Sequence, residues 1–77
     1  MFEYNICNQP DEEIFVKQCS ALEKHLPELR KKDLLTDVDN SKIQSYNLKG
    51  SIIKVYNDYV IGAVYIKSEI DIEPFFN

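Results

Sequence analysis

The 77 residues carry nine Lys and Arg against thirteen Asp and Glu, a formal charge of −4, with 44% hydrophobic residues, two Gly and three Pro. That composition belongs to one ordered domain spanning 1–77, not to a disordered chain, and to a domain so small that a single core supplies only about 3 to 5 kcal/mol of net stability. The acidic balance argues against nucleic acid and anionic membrane surfaces as partners, because both require clustered Lys and Arg.

Two cysteines, Cys7 and Cys19, are too few for the disulfide framework of a small secreted domain. The opening MFEYNICN has an early acid and no basic segment leading into an apolar run, so a reducing, cytoplasmic setting is the expectation. No apolar run approaches the ~20 residues that span a bilayer.

Phe2, Tyr4 and Ile6 alternate with Glu3, Asn5 and Cys7, the period of a strand with one buried face. A helix is then predicted from about Pro10, since Pro suits a first turn and Asp11, Glu12 and Glu13 sit where the helix dipole favours negative charge. Phe15, Cys19, Leu22, Leu26 and Leu29 recur at steps of four and three and form its apolar stripe, flanked by Ile14 and Val16. Lys17, Ser20, Lys24 and Lys31 occupy the opposite face. Pro27 removes a backbone donor, so the pattern predicts a kink there, with the helix continuing toward the basic Arg30-Lys31-Lys32.

Thr36 to Ser41 is dense in turn formers and reads as the loop back to a sheet. Lys42 to Leu48 reads as a strand and Lys49-Gly50 as a turn. Ser51 to Ile66, SIIKVYNDYVIGAVYI, then forms a hairpin of two β-branched runs meeting at Asn57-Asp58. From Ser68 the alternation of Ile70 and Ile72 with Glu69, Asp71 and Glu73 favours an extended edge segment, since Pro74 discourages helix in the residue before it. The fold class is α+β: a two-layer sandwich in which one kinked helix packs on a mostly antiparallel sheet of three to five strands, in the order β-α-β-β-β.

Catalytic and metal-binding motifs are thin. His25 is the only histidine, and no nucleophile motif accompanies it, so it reads as a boundary residue. Cys19 lies on the apolar stripe and reads as a small core hydrophobe. A bridge from Cys7 to Cys19 would need the end of the first strand to lie over the first turns of the helix. Asp37, Asp39 and Ser41 open with the spacing of a calcium loop, but Lys42 stands where the tight-turn Gly belongs and Leu48 where the bidentate Glu belongs. Zinc spacing is absent, and a helix that opens with three acids would repel phosphate. The expectation is therefore a chain that is not an enzyme and uses no cofactor or metal.

What remains is the hairpin. A turn at Asn57-Asp58 puts Ser51, Ile53, Val55, Val60, Gly62, Val64 and Ile66 on one face, suited to the helix. The other face holds Ile52, Lys54, Tyr56, Tyr59, Ile61, Ala63, Tyr65 and Lys67, and a single helix has nothing left to cover it. Tyrosines and isoleucines rimmed by lysines have the composition of a protein interface. The candidate partner-binding residues are Ile52, Tyr56, Tyr59, Ile61 and Tyr65, with the acidic Glu69, Asp71 and Glu73 of the tail. A tail from Ile70 to Phe76 folded back over the tyrosines, or a merely wet sheet face, accounts for the pattern equally well.

The reading favoured is a non-enzymatic protein-binding domain, by analogy of class a small inhibitor of the immunity-protein or anti-defence type acting on a more basic enzyme. Two alternatives stay open: a homodimeric assembly subunit that buries the same face against itself, and a small enzyme working through loop or tail carboxylates.

Overall fold

A computed structural model of the chain describes residues 1–76; Asn77, the last residue of the expected extended tail, lies outside them. The elements are β1 (Phe2–Cys7), α1 (Glu12–His25), β2 (Arg30–Thr36), β3 (Lys42–Leu48), β4 (Ser51–Asp58) and β5 (Ala63–Ser68), followed by a short 3-10 turn (Glu73–Phe76). The five strands form one antiparallel sheet in the order β1-β5-β4-β3-β2. The sandwich of one helix on an antiparallel sheet is as the sequence predicts, with one more strand after the helix than expected.

The first two strands are the two edges, so the helix must carry the chain across the whole sheet. Four inter-strand gaps of about 4.8 Å span about 19 Å. A helix of 14 residues rises about 21 Å, long enough for the crossing. Asp11 caps it, its side chain accepting the Ile14 N–H at 3.0 Å. The predicted stripe is the buried one: Phe15, Cys19, Leu22 and Leu26 pack with Tyr46, Leu48, Ile53, Val55, Val64, Ile66 and Ile72.

Pro27 ends the helix instead of kinking it. Leu26 is the C-cap, with φ −124° and ψ 80°, and its N–H still reaches Leu22 O. The next helical donor would be the one Pro lacks, and the residue before a proline avoids the α region. Leu29 packs on the core from the connecting loop, its N–H bonded to Leu26 O at 2.9 Å. Arg30 onward is therefore strand β2, not helix. All seven of its residues are exposed, so it carries no alternation to announce it. A bulge between Lys31 and Leu34 interrupts its pairing with β3, and Gln44, buried, fastens it by donating to Lys32 O at 2.7 Å.

The Lys49-Gly50 turn is as predicted, both residues at positive φ (51° and 92°), the backbone that a two-residue hairpin turn demands. The hairpin of β4 and β5 turns later than predicted. Asp58 pairs with Ala63, and Tyr59 to Gly62 form a four-residue loop. Asp58 Oδ1 accepts both the Val60 and Ile61 N–H groups, and Gly62, at φ 79°, closes the loop onto Asp58 O. Tyr56 thus lies opposite Tyr65 and not Tyr59. The change of partner spans an even number of residues, so the strand residues keep their predicted faces. Val60, 85% exposed, leaves the core face for the loop.

Asn57 is fully buried in β4, where its Oδ1 accepts the Asp11 N–H at 3.0 Å and so fastens the helix start to the sheet. The tail also departs from the predicted edge segment. Ser68 Oγ donates to Ile70 O, the chain bends, and Ile72 enters the core at 2% exposure. Alternation in this stretch reflects alternate contacts with the helix-side core, not strand pairing. Urea titration should show Leu22→Ala losing about 3 kcal/mol, the usual cost of a cavity at a fully buried leucine. The exposed Val16→Ala should lose less than about 0.5 kcal/mol.

Candidate functional site

Helix and tail both pack on one side of the sheet, leaving the other face open. Register places Ile43, Ser45 and Asn47 of β3, Ile52, Lys54 and Tyr56 of β4, Tyr65 and Lys67 of β5, and Glu3 and Asn5 of β1 on that open face. At its centre Tyr56 and Tyr65 stack across the strands, centroids 4.6 Å apart and planes 9° from parallel. Such a pair contributes about 0.5 to 1.5 kcal/mol beyond the area it buries. The Lys67 ammonium lies 5.8 Å from the Tyr56 ring centre and 5.9 Å from that of Tyr65.

Three depressions surround the stack. The largest, about 480 Å³, lies between the β2–β3 and β4–β5 loops and is lined by Leu35, Ile43, Tyr56, Val60 and Ile61 together with Asp37, Asp39 and Asp58. A second, of about 390 Å³, lies on the β1 side of Tyr65 and shares Ile61 as a wall. A third, of about 150 Å³, is bounded by Ile52, Lys54, Tyr56 and Lys67.

The candidate residues divide accordingly. Ile52 (44% exposed), Tyr56 and Tyr65 are on the open face as predicted. Tyr59 and Ile61 are not strand residues; they stand in the β4–β5 loop, 47% and 67% exposed, and Ile61 overhangs the face as a shared wall of two depressions. The three tail acids do not project as one row. Glu69 Oε1 accepts the Ile52 N–H at 2.6 Å, and Asp71 Oδ1 accepts the Tyr4 hydroxyl at 2.6 Å and the Glu73 N–H at 3.1 Å. The Tyr4 hydroxyl in turn accepts the Ile72 N–H. Glu69 and Asp71 thus tie the tail to β4 and β1, while Glu73 opens the 3-10 turn on the helix side.

Sequence reasoning missed Leu35 and Ile43, which extend the apolar face to the far edge, and Asp58. Leu35 lies between the predicted helix end and the predicted loop at Thr36, where no strand is expected. Ile43 could have been found by pairing its strand against Tyr56. Asp58 accepts the Ile61 and Val60 N–H groups and the Tyr65 hydroxyl at 2.9 Å. Those backbone donors, Ile61 foremost, with the phenol, hold its carboxyl below the usual aspartate range. Burial, and then the Asp58 carboxylate, push the Tyr65 phenol above its ordinary value.

The loop acids serve their own turns. Asp37 accepts the Val38 N–H and Asp39 the Ser41 N–H, with Asn40 at φ 70°. Among the described residues no three His, Cys, Asp or Glu side chains converge to hold a metal ion. Cys7 and Cys19 are free thiols, and burial pushes that of Cys19 up, away from the reactive thiolate. His25 is the exposed last residue of α1. No helix among the described residues is long and apolar enough to cross a membrane.

The lowered Asp58 value fixes the sign of a pH effect. A carboxyl that binds its proton less tightly when folded adds stability that is present above the ordinary aspartate range near pH 4 and lost as pH falls through the folded value. Chemical denaturation of the wild type and Asp58→Asn should therefore differ at neutral pH and converge as the pH falls from about 4 through the lower folded value; a difference independent of pH would assign the effect to side-chain shape alone. Compared with known protein families, characterised proteins and solved structures, the chain matches none.

Proposed function

We propose that this chain is a non-enzymatic protein-binding domain, an inhibitor-like module that docks through the open sheet face centred on Tyr56 and Tyr65. The observation that carries the reading is the placement of both possible covers, helix and tail, on the opposite side of the sheet, where Leu22 and Ile72 share one core. What they leave uncovered is continuous: Leu35, Tyr56, Val60 and Ile61 line one cleft. Tyrosines locked by stacking and by a bond to Asp58 supply contact area with few rotamers left to freeze on binding. Glu69 and Asp71 hold the tail in place, so the reading gives the contact to the face and not to the acids.

A second reading, a small enzyme, has in its favour the three carboxylates lining the largest cleft. All three already accept backbone N–H groups of their own turns, and Asp58 is held ionised, which suits a cap better than a proton donor. A homodimer through the same face is the remaining rival. Light scattering at micromolar concentration separates it, since the binding module predicts a monomer of 9.0 kDa.

Exposed positions give the cleanest test, because their loss leaves the core intact. Ile52→Lys combined with Ile61→Lys should unfold at nearly the wild-type denaturant concentration, within about 0.5 kcal/mol. Its affinity for a partner captured by the wild-type chain should drop by about 2 kcal/mol or more, the scale of interface anchors. Undiminished affinity in a folded double variant would remove this face from consideration.

A further inference from the structure

Within the open face, two like charges stand side by side, and only one of them, Lys67, has a carboxylate partner, Glu3. Lys54 and Lys67 are direct cross-strand partners on the same face, both half-buried. Side chains so placed have β-carbons about 5 Å apart, and like charges there destabilise a sheet. Their outward neighbours in the row are Ser45, which is neutral, and Glu3, whose side chain is 68% exposed and whose carboxylate is 3.9 Å from Lys67 Nζ. Among the described residues Lys54 has no ion pair. Both lysines line the small depression that Met1, Ile52, Tyr56 and Glu69 complete. The nearby Glu69 Oε1 is already engaged by the Ile52 N–H.

We infer that the Lys54–Lys67 pair is the seat for a carboxylate of the partner, an Asp or Glu side chain set between apolar residues of a protein segment lying along β4 and β5. The inference rests on the reading of the open face as the binding surface, and it names the chemistry that surface recognises. Two ammoniums at one spot suit a single anion with apolar flanks. A nucleic-acid backbone needs a track of cations, and this face is bordered by Glu3, Asp37, Asp39 and Asp58 instead. A second copy docked about an axis that runs through the tyrosines along the strands would set the same lysines against each other. The chain's net charge of −4 acts mostly at a distance, where fields fade beyond about 8 Å at physiological salt, so the partner's carboxylate competes chiefly with Glu3 and Glu69, the acids beside the pair.

The test is a peptide-display selection on the intact chain, followed by calorimetric titration of the recovered peptides against the wild type, Lys54→Glu and the Ile52→Lys, Ile61→Lys double variant. The recovered peptides should carry Asp or Glu between apolar residues, and the matching Asn or Gln peptides should bind about tenfold more weakly or worse. Lys54→Glu should lose a similar factor while its Tm holds or rises, since a carboxylate at position 54 faces Lys67. That opposition of stability and binding is what a lysine kept only for the fold would not produce. Peptides without acids, no recovered peptide, or affinity unchanged in Lys54→Glu overturns the carboxylate seat. So does preferential binding of single-stranded oligonucleotides, or concentration-dependent dimers that Lys54→Glu abolishes. If the double variant loses the peptides and Lys54→Glu keeps them, the face reading stands without the seat; if neither loses them, both fall.

Discussion

One helix can cover one face of one sheet, and the rest of this structure follows from that limit. The chain spends its only helix crossing from the β1 edge to the β2 edge, and its apolar stripe of Phe15, Cys19, Leu22 and Leu26 is fully used on the way. The tail adds Ile72 to the same layer. Asn57 anchors the arrangement by bonding the backbone at the helix cap from the middle of the sheet. Among the described residues its Nδ2 is buried without a hydrogen-bond partner, a cost the fold carries to keep that anchor. Among the described residues no helix or strand remains to cover the far face, which meets either water or another molecule.

The edges of the sheet are less suited than its open face to receive that molecule. Both edge strands are bulged, β1 between Asn5 and Cys7 and β2 between Lys31 and Leu34, and β2 begins with three consecutive cations. Bulges and edge lysines discourage another strand from adding on. The face, by contrast, is aromatic and braced: Tyr65 by Asp58 and Tyr56 by Tyr65. Asp58 is central to that bracing because one carboxylate both closes the β4–β5 loop and fixes the ring beside it.

Elements whose side chains alternate between core and solvent were legible in the sequence, and those without such contrast were not. The stripe of α1 and the inner residues Ile53, Val55, Val64 and Ile66 could be read directly because burial selects their period. Strand β2 could not, since an edge strand exposed on every residue has no period, and the stripe that runs through Leu26 to Leu29 masks the stop imposed by Pro27. The hairpin turn was misplaced because Asn57 and Asp58 have turn chemistry. Asn57 uses it to reach the helix cap, and Asp58 uses it to cap the loop that follows. The tyrosine face survived that error because the partner change preserved parity, so Tyr56 and Tyr65 were placed correctly for a reason independent of the turn. Tyr59 and Ile61, which depend on where the turn falls, were not.

The central claim is that the sheet face opposite the helix is open in the free chain and is where a partner docks. Isoleucines report on both sides of the sheet: Ile52 and Ile61 are exposed on or over the open face, while Ile53, Ile66 and Ile72 are buried beneath the helix layer. Methyl NMR of the labelled chain with a soluble paramagnetic agent reads them together, free and with a bound partner. The account predicts strong broadening of Ile52 and Ile61 in the free chain, lost on binding, with Ile53, Ile66 and Ile72 protected throughout. Protection of Ile52 and Ile61 in the free chain at every concentration, or their continued broadening in the complex, would contradict it.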